Sequence, residues 1–238
     1  MTLQVSLLRS NILAASRTLL QKKYARCVSP DNEQIMSINP TPTHSKLSLA
    51  ALILAGGKSS RMGTDKALIP WDGIPLLQRV FQVASECSQF VYIITPWPER
   101  YQDILTPESS QFLIESNPGQ GPLVALAQGL AEIPADWLLL LACDLPLLQV
   151  EIIQNWIERL NQLPNSVLAM VPKQADLWQP TCGFYRREAL PELQKFIQQG
   201  GRSFQTWLGQ IPVQPIAVNQ QSSDMLFNCN TPTDLEKK

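Results

Sequence analysis

The stretch from Leu52 to Pro75, L-I-L-A-G-G-K-S-S-R-M-G-T-D-K-A-L-I-P-W-D-G-I-P, constrains the fold more than any other. An apolar run, Ala50 to Ala55, has the length of a buried strand and leads straight into Gly56 and Gly57. Glycines at the end of a strand let backbone N–H groups approach an anion closely, because no Cβ intervenes. Arg61 and Lys66 add fixed positive charge at the same place, and a guanidinium can grip a phosphate with two hydrogen bonds. The stretch predicts a polyphosphate pocket at the C-terminal end of a strand. Backbone from Leu54, Ala55, Gly56 and Gly57 would line it.

Two familiar phosphate loops do not fit. A Walker A loop needs G-x-x-x-x-G-K-[ST], but Gly57 and Gly63 are too far apart and Thr64 follows Gly63. A dinucleotide fingerprint needs G-x-G-x-x-G, which Gly56, Lys58 and Ser59 do not supply. A Gly-rich turn that merely joins strand to helix accounts for the paired glycines but not for Arg61, Gly63 and Lys66 at these spacings.

Downstream, strands and helices alternate. Pro75 opens a helix with Leu76, Leu77, Val80, Phe81 and Ala84 on one face. Phe90–Thr95 and Gln111–Glu115 read as strands, and a helix begins near Pro122. Trp137–Ala142 is the most hydrophobic strand and should be central. Val150–Leu163 reads as an amphipathic helix and Val167–Val171 as a strand. Pro180–Tyr185 reads as an edge or antiparallel strand, Ala189–Ile197 as a helix, and Ser203 as the cap of a short helix to Leu208. Ile211–Val218 and Met225–Phe227 read as short strands, and Thr231-Pro232-Thr233-Asp234 as the start of a terminal helix. The alternation predicts an α/β fold, with a mostly parallel sheet and helices on both faces.

Residues 1–46 stand apart. Met1 to Pro30 holds no acidic residue but carries Arg9, Arg17, Lys22, Lys23 and Arg26, a composition like that of a transit peptide. The reading favoured here is an N-terminal extension, disordered or arising from a misassigned start, with Met36 as the alternative start. Residues 47–238 form the single domain expected.

Composition excludes several classes of function. The formal net charge is -1, which does not suggest a nucleic-acid surface. No apolar run approaches the ~20 residues that a membrane helix needs. Cys27, Cys87, Cys143, Cys182 and Cys229 are scattered, with no C-x-x-C pair, which argues for a reducing compartment, the cytoplasm, and against a zinc site. With His44 the only histidine, general-base chemistry by that residue is not expected.

Three further sites carry oxygen ligands. Asp144 ends the run L-L-L-L-A-C-D and should lie at the C-terminal edge of the sheet, where ligands bind in open α/β folds. One carboxylate facing a triphosphate suits Mg²⁺, but an aspartate there also suits a turn with Pro146. Glu115 to Leu123 joins an acid to Gly119 and Gly121 and to a helix N-terminus aimed at the pocket, which a plain loop and helix cap would also explain. Asn228-Cys229-Asn230-Thr231-Pro232 could ligate a metal through Asn230 or could cap a helix.

The motif L-A-G-G-x-S-x-R-M-G-x-x-K, Leu54 to Lys66, resembles the signature loop of Rossmann-like nucleotidyltransferases. Continued through Gly73-Ile74-Pro75, it most resembles the molybdenum cofactor guanylyltransferases, over about residues 49–237. The resemblance implies a Rossmann-like, three-layer nucleotidyltransferase fold. It implies transfer of GMP from GTP to the terminal phosphate of molybdenum-bearing molybdopterin, with molybdoenzyme apoproteins or cofactor-assembly proteins as partners. It assigns Arg61, Lys66 and Asp144 to catalysis and Asp144, with Asn230, to Mg²⁺. Nucleotide binding falls to Leu54, Ala55, Gly56, Gly57, Lys66, Glu115 and Asp144. Glu115 stands where the family has Asp, and Thr95 stands where some members have a nucleotide-contacting Asn. Gln179-Pro180 and Arg202 fall in the half where the superfamily binds its acceptor. The rival readings are the same chemistry with CTP and the pterin, or with a sugar phosphate, and a non-catalytic nucleotide-binding module.

Overall fold

The computed structural model describes residues 47–57, 65–105, 110–231 and 233–234. The extension expected over residues 1–46 lies outside them, as do Arg61 and most of the terminal helix expected after Thr231.

A twisted sheet forms the middle layer. Its strands are β1 (Leu49–Leu54), β4 (Phe90–Thr95), β5 (Ser110–Ile114), β6 (Trp137–Ala142), β7 (Ala169–Gln174), β8 (Leu177–Trp178), β9 (Cys182–Arg186) and β10 (Val213–Ala217). They lie in the order β10-β7-β9-β6-β1-β4-β5, with β8 paired to β7. β6 is central, as its apolar run predicts. β1 is parallel to both β4 and β6, with Leu54 opposite Ile94 and Ala142. These three strands therefore end level with one another. β9 runs antiparallel to β6 and β7. It is antiparallel as expected but interior, which explains why all five of its residues are buried.

Alternate residues of β1 feed two cores. Ala51 and Ile53 pack with Leu77, Val80 and Phe81 of α1 (Leu76–Cys87) and with Ile153 and Trp156 of α3 (Val150–Leu160). Ala50 and Leu52 face the other way, onto Leu123, Leu126 and Leu130 of α2 (Pro122–Glu132). Leu193 of α4 (Leu190–Gln198) and Phe204 and Trp207 of α5 (Phe204–Leu208) extend that second core. The result is the helix–sheet–helix layering that a both-faces-buried sheet requires. Ser203 caps α5 as read, accepting from the Thr206 N–H.

One local reading is corrected. Met225–Phe227 is not a strand, because Gln220–Met225 forms a helix, α6. Asn219 accepts from the Ser222 N–H while Ser222 reaches back to the Asn219 N–H, and this capping box outweighs three apolar residues in a row. A hairpin between the signature loop and α1 was not expected. There β2 (Pro70–Trp71) pairs with β3 (Ile74–Pro75) across Asp72 and Gly73. Both turn residues have positive φ, 50° and 81°, the geometry that an Asp-Gly pair favours in a two-residue hairpin.

Candidate active site

Past the last ladder pairs, backbone bonds carry the site loops to the sheet edge. The Ala55 N–H donates to Ile94 O, the Glu115 N–H to Thr95 O and the Cys143 N–H to Leu54 O. The Cys229 N–H donates to Asp144 O and brings in the fourth segment. These loops surround a cleft of about 680 Å³. Leu54, Ala55, Gly56 and Gly57 line it, as do Lys66, Glu115, Asp144 and Asn230. Every nucleotide, charge and metal residue read from the sequence thus meets in one cavity, apart from Arg61, which lies outside the described residues.

The charged end is compact. The Lys66 ammonium donates to Asp144 Oδ2 at 2.6 Å and to Asn230 Oδ1 at 2.9 Å. Asp144 Oδ1 is buried with no hydrogen-bond partner. Two oxygens from distant segments therefore converge on one cation, and a third oxygen beside them still has acceptor capacity. Burial pushes the Cys143 thiol up to about 12, with the Asp144 charge adding to the effect, so the neighbouring sulfur is a neutral thiol. Burial also raises Cys229. Oxygen ligands without thiolate suit a hard divalent cation. Among the described residues no group of three His, Cys, Asp or Glu side chains could hold a metal on its own. Phosphates and water would have to complete its shell.

The other end holds a single acid. Glu115 is buried, and desolvation raises its carboxyl above the usual carboxylate range. A Cβ built on Gly56 would stand 2.5 Å from Glu115 Oε2 and 3.3 Å from Pro96 Cδ, so only glycine lets the carboxylate lie against this backbone. Gln128 of α2 fixes the loop from both sides, accepting from the Ser116 N–H at 2.9 Å and donating to Ile114 O at 2.8 Å. Gly119 and Gly121 take φ of 81° and 94°, which lets the chain turn into Pro122 and brings the N-terminus of α2 to the cleft.

Some readings find other employment. Thr95 is buried and its hydroxyl accepts from the Trp97 N–H at 3.2 Å. Arg202 donates to Ile197 O and Gly201 O, closing the end of α4, and reaches Gln120 Oε1 at 3.4 Å. Thr181, at the start of β9, and Asn228 line the cleft without having been read as site residues. Asp65 and Tyr101 were missed altogether. Asp65 Oδ1 accepts from the Ala67 N–H and caps the single turn Lys66–Leu68, and the Tyr101 hydroxyl lies 2.9 Å from Asp65 Oδ2. The acid directly before Lys66 was the available signal.

A model of the MobA-like NTP transferase domain matches residues 51–212, more than half of the chain. The chain belongs to this family. A probable molybdenum cofactor guanylyltransferase of Trichormus variabilis is 53% identical over 187 residues, covering 79% of this chain and 88% of the relative. One from Synechococcus elongatus is 45% identical over 190 residues, covering 79% and 96%. The crystal structure of molybdopterin-guanine dinucleotide biosynthesis protein A from Archaeoglobus fulgidus has the same fold, with a TM-score of 0.66, 21% identity and coverage of 79% and 95%. The protein is therefore a nucleotidyltransferase of the molybdenum cofactor guanylyltransferase group, a family that generally uses a divalent metal. Among the described residues no helix is long and apolar enough to cross a membrane.

Proposed function

We propose that this enzyme transfers GMP from GTP to the terminal phosphate of molybdenum-bearing molybdopterin. The observation that carries the reading is Glu115, a buried carboxylate in the same cleft as Lys66, Asp144 and Asn230. Guanine presents adjacent N1–H and N2–H₂ donors, which one carboxylate accepts together. Adenine and cytosine offer no such pair and would leave a buried acid poorly satisfied.

In the reaction a pterin phosphate oxygen bonds to the α-phosphorus, the α–β bridging P–O bond breaks, and pyrophosphate departs with the electron pair. A phosphate monoester is largely ionised near neutral pH, so the enzyme need not supply a strong base. Backbone from Leu54 to Gly57 positions the nucleotide. Lys66, and by its place in the motif Arg61, neutralise charge on the phosphates as the bridge breaks. Asp144 and Asn230 would hold Mg²⁺, which when bound supplies charge neutralisation on the phosphate oxygens. The half-buried and buried free thiols, among them Cys87 and Cys182, fit a reducing cytoplasm. Molybdoenzyme apoproteins or cofactor-assembly proteins are the natural recipients of the product.

A competition between equal GTP and CTP, with the pterin as acceptor and pyrophosphate release as the readout, tests the reading. GTP should dominate the product. Equal use, or a preference for CTP, would overturn the guanylyl assignment, and binding without any turnover would favour a non-catalytic module.

A further inference from the structure

The mechanism does not use the buried hydroxyl of Tyr101. Tyr101 is 1% exposed and follows the short turn Pro98–Arg100 after β4. Its oxygen lies 2.9 Å from Asp65 Oδ2 and 3.2 Å from the Ala55 carbonyl oxygen. A phenol has one proton, so it is shared between a carboxylate and a backbone carbonyl. Burial, then the hydrogen bond to Asp65, push the phenol above its ordinary range, so it stays protonated and a donor across any working pH.

What this proton joins is specific. Ala55 belongs to the nucleotide-lining backbone, and Asp65 is the cap of the turn that carries Lys66. The two lie on either side of residues 58–64 in sequence. Asp65 divides its oxygens: Oδ1 takes the Ala67 N–H at 3.2 Å, while Oδ2 takes Tyr101 and, at 3.3 Å, Arg100, whose guanidinium stacks 4.2 Å from the Trp97 ring. Lys66 is thus held between a clamped residue and the buried Ala67. Lysine carries its ammonium on a flexible four-carbon stem, so a fixed Cα narrows the positions that the ammonium can reach. A displacement of ~1 Å in a positioning group can cost on the order of a hundredfold in rate.

We propose that Tyr101 is a positioning residue for the transfer reaction: through Asp65 it sets the Lys66 turn against the Ala55 floor, so that the ammonium meets the nucleotide's phosphates. This rests on the reading above that Lys66 contacts the triphosphate. Tyr101 itself touches no substrate. Its effect should be common to every nucleoside triphosphate and independent of the base.

A double-mutant cycle tests it. Wild type, Tyr101→Phe, Lys66→Ala and the double variant are titrated calorimetrically with GTP, and the thermal midpoint of each is recorded. Tyr101→Phe should weaken GTP binding by about tenfold, the scale of one charge-assisted hydrogen bond. In the Lys66→Ala background the same change should cost less than about twofold, since the group it positions is gone. The shift in midpoint should be alike in both backgrounds. Equal losses in affinity in both backgrounds, or none in the wild type, would overturn the proposal and leave Tyr101 a packing residue. Should Tyr101→Phe fail to fold, Asp65→Asn takes its place, with the same expectations and the same overturning results. Unchanged affinity in Lys66→Ala alone would sink the contact between Lys66 and the triphosphate, and this proposal with it. Lost affinity there with additive effects of Tyr101→Phe would sink this proposal alone. If the protein proves to prefer CTP, the cycle is run with CTP, and its expectations do not change.

Discussion

The two ends of β6 each carry an aspartate, and the two are held in opposite ways. At the N-terminal end, Asp136 Oδ2 accepts from both the Ser48 N–H and the Ser48 hydroxyl, at 2.7 and 2.8 Å, and the Asp136 N–H donates back to Ser48 Oγ. Beside it Arg186 lies 4.6 Å from the Trp137 ring and donates to Val167 O and Pro164 O. At the C-terminal end, Asp144 has one oxygen on Lys66 and the other buried without a partner, and Glu115 is a buried acid in an open cleft. At one end the acid and the guanidinium are matched by protein groups, although Trp137 Nε1 is buried without a partner. The other keeps capacity that only a ligand can use. Burying a carboxylate without partners costs stability, so the second arrangement persists where function repays it.

Substitutions can sharpen that contrast or break it. The largest effect should come from Asp144→Asn, which keeps volume and removes charge. Turnover should fall by at least about a hundredfold, the scale of losing one preorganised electrostatic group, with little change in thermal midpoint. A rate above roughly a tenth of wild type would place Asp144 with Asp136 as a structural acid.

Glu115→Gln comes next. An amide offers guanine one acceptor and one clashing donor, so the preference for GTP over CTP should drop by about tenfold or more. The ligand-free variant should melt above wild type, because the amide escapes the desolvation that burdens the carboxylate. The pH dependence follows from the raised carboxyl. Guanine needs the ionised form, so GTP affinity of the wild type should fall as pH falls through that raised value, earlier than for an ordinary glutamate. Stability runs the other way. The folded state takes up the proton more readily than the unfolded chain, so the ligand-free protein gains stability as pH falls through the same window. Titrations with GTP across pH should show the dependence in the wild type and lose it in Glu115→Gln.

The smallest kinetic effect belongs to Arg186→Lys. It forfeits the two carbonyl contacts in their fixed geometry and weakens the stack on Trp137, worth about 1–3 kcal/mol of stability. The melting temperature should fall while kcat and KM for GTP stay as they were. A change in KM would mean that the far end of the sheet reaches the cleft.

The sequence disclosed this molecule unevenly, for physical reasons. β1 and β6 are central parallel strands, so their apolar runs have sharp ends, and the glycine loop and Asp144 follow those ends, while Glu115 follows the edge strand β5. The same logic hid the place of β9, because nothing in C-G-F-Y-R declares that an antiparallel strand is interior. The hairpin at Asp72 and Gly73 has strands of two residues each, too short for any period to register. Tyr101 and Asp65 are 36 positions apart and meet only because β1 and β4 are neighbours, which no local pattern contains.

Gly56 and Glu115 show how two distant positions can share one allowance of space. The carboxylate occupies the volume where a side chain at 56 would begin. An aspartate at 115 would stop ~1.5 Å short, by one C–C bond, and give that volume back. In a lineage the two positions are then not free to drift separately. A methyl group at 56 would oblige the acid at 115 to swing aside or to shorten. Two segments almost sixty residues apart in the chain thus compete for one small volume.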